Sequence, residues 1–325
     1  LPEGRGVTRL GRAGTGRTQI VRAGIARLAG IVALAALFAS CATAPFSFRN
    51  DPLSLLGEGA DAWLIVPVQA NRRLLEIVAA KNPGLGASDR ALDRTETLYA
   101  GIYGGVSSDG SAPAASLRLI ATGSFPKSAR SVVFPKSRGW VRSDDDAWGP
   151  WYALDGVGAS IPEPGLYCMA DKAALPPILR RIAKGAESAV ALPPALESFL
   201  VAPASDGRIA LFIDKPRRLV EAILPPEADF GIEDILVFAR PNGATGAQEA
   251  GGETAVNGAP DAKVTEMYSL SARISVADAR SSRALAALLR IILNCRATAA
   301  DNGVIVSDCE LSAERLADLA GFFYF

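Results

Sequence analysis

The sequence predicts an α+β fold made of two tandem ferredoxin-like halves, each with antiparallel strands backed by amphipathic helices. Three observations carry that expectation. Short apolar runs of strand length alternate with helical stretches, and the same order appears twice along the chain. A local echo, RRLLEIV at 72–78 against RRLVEAI at 217–223, follows the first run of each half at the same distance to within one residue. Both halves also place a Gly-rich connection between their second and third runs. Strand-helix-strand-strand-helix-strand-helix is the split βαβ order, and its repetition points to an internal duplication.

The first half, 58–184, opens with the apolar run 63–68 and a helix over Ala70 to Lys81. Strands are expected at 98–103 and 116–122, on either side of a Gly/Ser loop at 104–114. A helix at 126–134 follows, then strands at 152–155 and 166–170 and a helix at 172–184. Residues 185–206, with Pro193, Pro194 and Pro203, read as a connector. The second half, 207–325, repeats the order: run 208–213, helix 216–224, strands 235–239 and 267–276, then a helix from Ala279 to about Arg296. Strand 304–310 and helix 312–323 close it. Asp278 and Ser312 stand where helix N-caps belong. The stretch 241–263 is long for a hairpin and nearly free of large apolar residues, which marks it as a surface excursion.

Two helices carry apolar stripes at helical spacing. One contains Leu285, Leu288, Leu289, Ile292 and Leu293, with Arg280, Arg283 and Arg290 off the stripe; the other contains Leu175, Ile178, Leu179 and Ile182, flanked by Arg180, Arg181 and Lys184. Such stripes usually cover a sheet. The competing reading lays one helix in a lipid interface, apolar face down and arginines at the headgroups. Leu285, Leu289 and Ile292 are the candidate lipid- or partner-binding residues on that reading, joined by Phe322, Phe323 and Phe325 of the aromatic C-terminus.

Residues 1–40 read as an export signal. Arginines at 5, 9, 12, 17, 22 and 27 precede an apolar run from Leu28 to Ala39, which is shorter than the ~20 residues of a membrane span. Phe38-Ala39-Ser40-Cys41 resembles the lipobox of bacterial lipoproteins, with Phe in place of the usual Leu at the third position before the Cys. That resemblance implies cleavage before Cys41, fatty acylation of its thiol, and attachment to the membrane through 41–57 as a tether. Ala42 is not the Asp that holds enteric lipoproteins at the inner membrane, which favours an outer-membrane position facing the periplasm. A lipobox followed by an α/β body with Arg-flanked amphipathic helices resembles treponemal outer-membrane-associated lipoproteins. The likeness is one of architecture and carries no residue roles across.

Composition narrows the function classes. The chain has 34 basic and 34 acidic residues; without the six Arg and one Glu of the leader, 28 and 33 remain, a net of −5. A mildly acidic body with no basic run has no footprint for nucleic acid. The absence of histidine removes Ser-His-Asp and Cys-His nucleophiles and His-bearing zinc sites, and no cofactor or metal is expected. The Asp144-Asp145-Asp146 run lacks the alternate ligand spacing of a calcium loop and reads as a solvated turn anchored by Trp148 and Trp151. Lys127–Ser128 and Asp214–Lys215 are sequence neighbours without a surrounding signature. Of the cysteines left after lipidation, Cys295 and Cys309 either pair or serve as small buried hydrophobes. The expected function is therefore a non-enzymatic binding or scaffolding lipoprotein that meets lipid or an envelope partner. The alternatives are a transporter's substrate-binding lipoprotein, which needs a deep cleft, and a His-free hydrolase with two carboxylates about 5–10 Å apart.

Overall fold

The computed structural model describes residues 52–81, 89–104, 116–144, 149–185, 192, 196, 207–214, 216, 230–242, 266–293 and 295–321. Within them, twelve strands join in one antiparallel sheet. In the first half these are β1 (Ala62–Pro67), β2 (Thr95–Tyr103), β3 (Ser116–Gly123), β4 (Val141–Ser143), β5 (Trp151–Leu154), β6 (Val157–Ser160) and β7 (Leu166–Asp171). The second half supplies β8 (Ile209–Asp214), β9 (Ile232–Pro241), β10 (Met267–Val276), β11 (Arg296–Ala300) and β12 (Gly303–Ser312). Their order across the sheet is β11-β12-β10-β9-β8-β1-β2-β3-β7-β6-β5-β4. The first strands of the two halves, β1 and β8, therefore meet at the centre, with Ala62 opposite Ile213 and Leu64 opposite Leu211.

The mixed α+β class and the antiparallel pairing agree with the sequence reading; two separate ferredoxin-like sheets do not. A split βαβ unit inserts another strand between its first two, whereas β1 here pairs directly with β2, Ile65 opposite Tyr99. The cause lies in the β1–β2 connection. It holds two helices, α1 (Arg72–Lys81) and α2 (Asp89–Arg94), and returns to the end of the sheet from which it left. Val68 N–H donates to Glu96 O at 2.9 Å, and Gln69 Nε2 donates to the Leu92 and Thr95 carbonyls, both at 3.1 Å, closing the excursion. From β1 and from β8 outward, each half is then a meander: β1-β2-β3-β7 on one side and β8-β9-β10-β12 on the other. The helix expected at 216–224, most of the connector 185–206 and the excursion 241–263 lie outside the described residues.

Alternation along the strands sorts the remaining helices onto two faces. On one face, Trp63, Ile65, Ile120, Cys168 and Phe212 pack beneath α4 (Leu175–Lys184), whose Leu175, Ile178, Leu179 and Ile182 are all buried. Each such side chain removed from water contributes ~1.5–3 kcal/mol, an upper estimate, so the α4 stripe is core. The opposite face holds α1 packed against α6 (Ala313–Gly321) over Val66, Ile209 and Tyr268. It also carries α5 (Ala279–Leu293) over Ile274, Val276, Val304 and Val306. Lys81 pairs with Asp318 across the α1–α6 contact, so elements of both halves are joined on that face.

The stretch just before β1 is also core. Pro52–Leu55 form a 3₁₀ turn, and Leu53, Leu55 and Leu56 are fully buried under α4. Tyr103 Oη donates to Leu56 O at 2.8 Å, Arg118 Nη1 to the same carbonyl at 2.7 Å, and Arg181 Nη1 to Leu55 O at 3.3 Å. Gly57 follows at φ +97°, where a Cβ would stand 2.9 Å from Arg181 Nη1 and 3.0 Å from Arg118 Nη1. Of the stretch 41–57, the part from Pro52 onward is thus fixed into the body.

Candidate functional site

Helix α5 carries three of the candidate residues, and its local chemistry explains its placement. Asp278 caps the N-terminus, its Oδ1 accepting from Arg280 N–H at 2.8 Å and Ser281 N–H at 2.9 Å. The Ser281 N–H, the Ser281 hydroxyl and the Arg280 N–H, in that order, hold the Asp278 carboxyl below the ordinary aspartate range. Inside the first turn, buried Ser282 Oγ lies 2.8 Å from Ala300 O and 2.7 Å from Gly303 O, bonding the helix to the β11–β12 turn. Arg290 Nε donates to Ala297 O at 2.6 Å. Beyond the helix, Cys295 and Cys309 form a disulfide with Cα atoms 4.9 Å apart. The helix ends at Leu293; Arg296, expected from the sequence to be its last residue, instead starts β11.

These clasps turn the apolar stripe inward. Leu285 is 2% exposed in the cluster with Ile274, Val304 and Val306, and Leu289 packs against the same cluster half-buried. Ile292 belongs to the helix, but its side chain lies outside the described residues. Arg280, Arg283 and Arg290 are exposed, and on the same helix Ile291 is 81% exposed. A lipid contact through Leu285 and Leu289 therefore requires α5 to leave the sheet; a contact through Ile291 does not. Cys41, Phe322, Phe323 and Phe325 lie outside the described residues.

A second surface is one that the sequence reading missed. The chain between β3 and β5 folds as a 3₁₀ turn at Lys127–Ala129, the single-turn helix α3 (Arg130–Val133), a second 3₁₀ turn at Lys136–Arg138, and β4. Phe134 anchors it, stacked on Tyr152 at 4.5 Å and met edge-on by Trp140 at 5.1 Å. The outward side carries Val132 at 74% and Val141 at 67% exposure, among lysines and arginines. The available signal was a charge pattern: five cations and no acid between Pro126 and Ser143.

The other sequence candidates scatter. Asp144 pairs with Arg142 on the surface, Trp151 is buried beside Leu175, and Asp145, Asp146 and Trp148 lie outside the described residues. Lys127 and Ser128 are exposed neighbours; Asp214 ends β8, and Lys215 is outside the described residues. Cys168 is fully buried, and burial pushes its thiol well above the ordinary range, so it is no nucleophile. Among the described residues, no three Cys, Asp or Glu side chains come together to share a metal ion, and no helix is long and apolar enough to cross a membrane.

Comparison with known proteins gives a consistent picture. The family model described as outer membrane-associated lipoprotein TP0453 matches residues 48–317. The outer membrane protein TP0453 of Treponema pallidum (strain Nichols) is 24% identical over 303 residues, spanning 91% of this chain and 94% of that protein. Two crystal forms of TP0453 share the fold at 20% identity. Form III gives a TM-score of 0.62 over 84% of this chain and 98% of that one; form I gives 0.61 over 85% and 98%.

Proposed function

Since the chain belongs to the TP0453 family of outer membrane-associated lipoproteins, we propose that its body is a non-enzymatic binding or scaffolding module meeting lipid or an envelope partner. Cys41 is the acylated residue, 1–40 the export signal, and 58–184 and 207–325 the two duplicated halves. With Pro52 onward fixed in the body, at most ten residues of chain, 42–51, stand between the anchor and the first described turn. That short link holds the body at high effective concentration beside the bilayer, where weak contacts suffice.

The observation that carries this reading is the outward side of α5. An almost fully exposed Ile291 on a helix that also exposes Arg280, Arg283 and Arg290 is the composition of an interfacial contact. The aromatic end, Phe322 to Phe325, and the stripe Leu285, Leu289 and Ile292 extend the contact if α5 hinges outward. Co-sedimentation of the unlipidated mature chain with neutral and anionic vesicles tests it. Association is expected, and Ile291→Glu should weaken it about tenfold or more while circular dichroism stays unchanged, since a charge replaces an inserted apolar side chain. Leu289→Glu should also abolish it, at the cost of native stability. No association with either vesicle removes the lipid role and leaves a protein partner.

A further inference from the structure

We propose that the segment from Pro126 to Ser143 is a second contact surface, one that docks on anionic lipid headgroups; this rests on the reading that the body works beside a bilayer. The segment is a rigid platform. Phe125 and Phe134 are buried in one cluster with Tyr152, Ala159 and Ile161. Arg130 Nε and Nη2 both donate to Ile161 O, at 3.0 and 2.5 Å. Gly139, at φ +89°, closes the second 3₁₀ turn by donating its N–H to Lys136 O at 3.0 Å. A chain this well anchored does not expose Val132, Val133 and Val141 for want of packing partners.

Every charge within Pro126 to Ser143 is basic, and Asp144, the next residue, is the first acid after it. Arg130 is spent on the Ile161 carbonyl, and Arg142 is taken up by Asp144. Lys127, Lys136 and Arg138 are exposed, and none has a carboxylate within ion-pair distance among the described residues. An open groove of about 400 Å³ lies on this surface, lined by Lys136, Gly139, Trp140, Val141 and Arg142. Branched aliphatics to enter the acyl boundary, an indole at the interface and free cations at phosphate depth are the complement of an anionic membrane surface. A free phosphate would use the cations and leave the valines idle.

The surface also supplies what the whole body lacks. The mature chain carries a net −5 and is repelled by anionic lipid as a whole, so local charge has to set the orientation. Each cation near an anionic bilayer strengthens association by roughly fivefold, and three of them give a bias on the order of a hundredfold. The platform lies at the β4 edge of the sheet, whereas α5 lies over the β10–β12 end. The two surfaces are therefore far apart in strand order and report separately.

The test uses the lipidated chain in vesicles, labelled with an environment-sensitive fluorophore at Ser137→Cys or, separately, at Ile291→Cys. Cys168 is buried and Cys295 is bridged to Cys309, so the introduced thiol is the reactive one. On vesicles containing phosphatidylglycerol, the Ser137 label should be shielded several-fold from the uncharged aqueous quencher acrylamide. On pure phosphatidylcholine it should stay open to the quencher. About 1 M salt, where the screening length is ~3 Å, should reverse the shielding, and Lys136→Glu with Arg138→Glu should abolish it. Equal shielding on both lipids, or shielding that survives the double charge reversal, overturns the proposal. A Ser137 label open on every vesicle while the Ile291 label is shielded also overturns it and leaves the α5 contact standing. Both labels open on every vesicle defeats the lipid reading as well.

Discussion

Asp278 and the Cys295–Cys309 bridge close the two ends of α5, and each makes a prediction of its own. The Asp278 carboxylate accepts two N–H bonds and the Ser281 hydroxyl, so its folded pKa lies below its unfolded one. A lowered acid contributes stability that is fully present above its unfolded value, roughly 4, and is lost as pH falls through the folded value. Wild type should therefore lose thermal stability on acidification below about pH 4 more steeply than Asp278→Ala. The variant should also melt lower at neutral pH; identical acid limbs in the two melts would refute the cap. The disulfide closes a loop with a sequence separation of 14, for which the chain-entropy relation gives ~3 kcal/mol. Cys309→Ser, measured by urea unfolding, should lose about that much, and a dithiol reductant should affect wild type alone. Asp278 was legible as a cap because the residue before a helical stripe announces itself. The pairing was not, because sequence does not show that β11 and its turn bring position 309 back beside position 295.

At the level of elements, the stripes of α4 and α5 were legible and their destination was not. Apolar residues at i, i+3 and i+4 spacing look alike whether a sheet or a lipid surface receives them. Leu285 is received by the sheet, so Leu285→Ala should cost ~2–5 kcal/mol. Ile291→Ala should stay within about 0.5 kcal/mol in the same chemical denaturation series. Comparable losses at the two positions would mean that α5 turns a different face to the sheet. Helix α2 and strand β11 were missed because both are short and their sequences, DRALDR and RATAA, carry little apolar periodicity. That omission had a large consequence. With one helix between β1 and β2, the element order suggests a crossover; with two, the chain returns to the same end and the strands pair side by side. The basic platform at 126–143 was legible as a charge count but went unread, because its valines look like core until Phe125 and Phe134 are seen to fill the interior instead.

For the whole molecule, one continuous sheet replaces the two ferredoxin-like halves expected from the sequence, and an internal duplication stands as a proposal. Both meanders start at the centre and run outward in the same order, and each places a helix after its third strand, α3 in one and α5 in the other. They differ at the last helix: α4 covers one face of its half, whereas α6 packs on the opposite face against α1. A superposition of β1-β2-β3-β7 on β8-β9-β10-β12 should succeed with the helices after the third strands kept and α4 and α6 left out. Failure of the strands themselves to superpose would end the idea of a repeat. The core under α4 and the core under α1 and α6 draw on both halves, with β1 bonded to β8 and Phe212 beside Trp63 at 5.8 Å between ring centroids, whereas the α5 cluster lies within the second half alone. The proposed function depends on attachment: acylation at Cys41, close in sequence to the buried turn that starts at Pro52, would keep the body against one membrane. The most direct test is metabolic labelling with a fatty-acid analogue, comparing wild type with Cys41→Ser in fractionated envelopes. Wild type should carry the label and appear in the outer-membrane fraction, while Cys41→Ser should be unlabelled and released; equal incorporation by both would contradict the lipid anchor on which the proposed function stands.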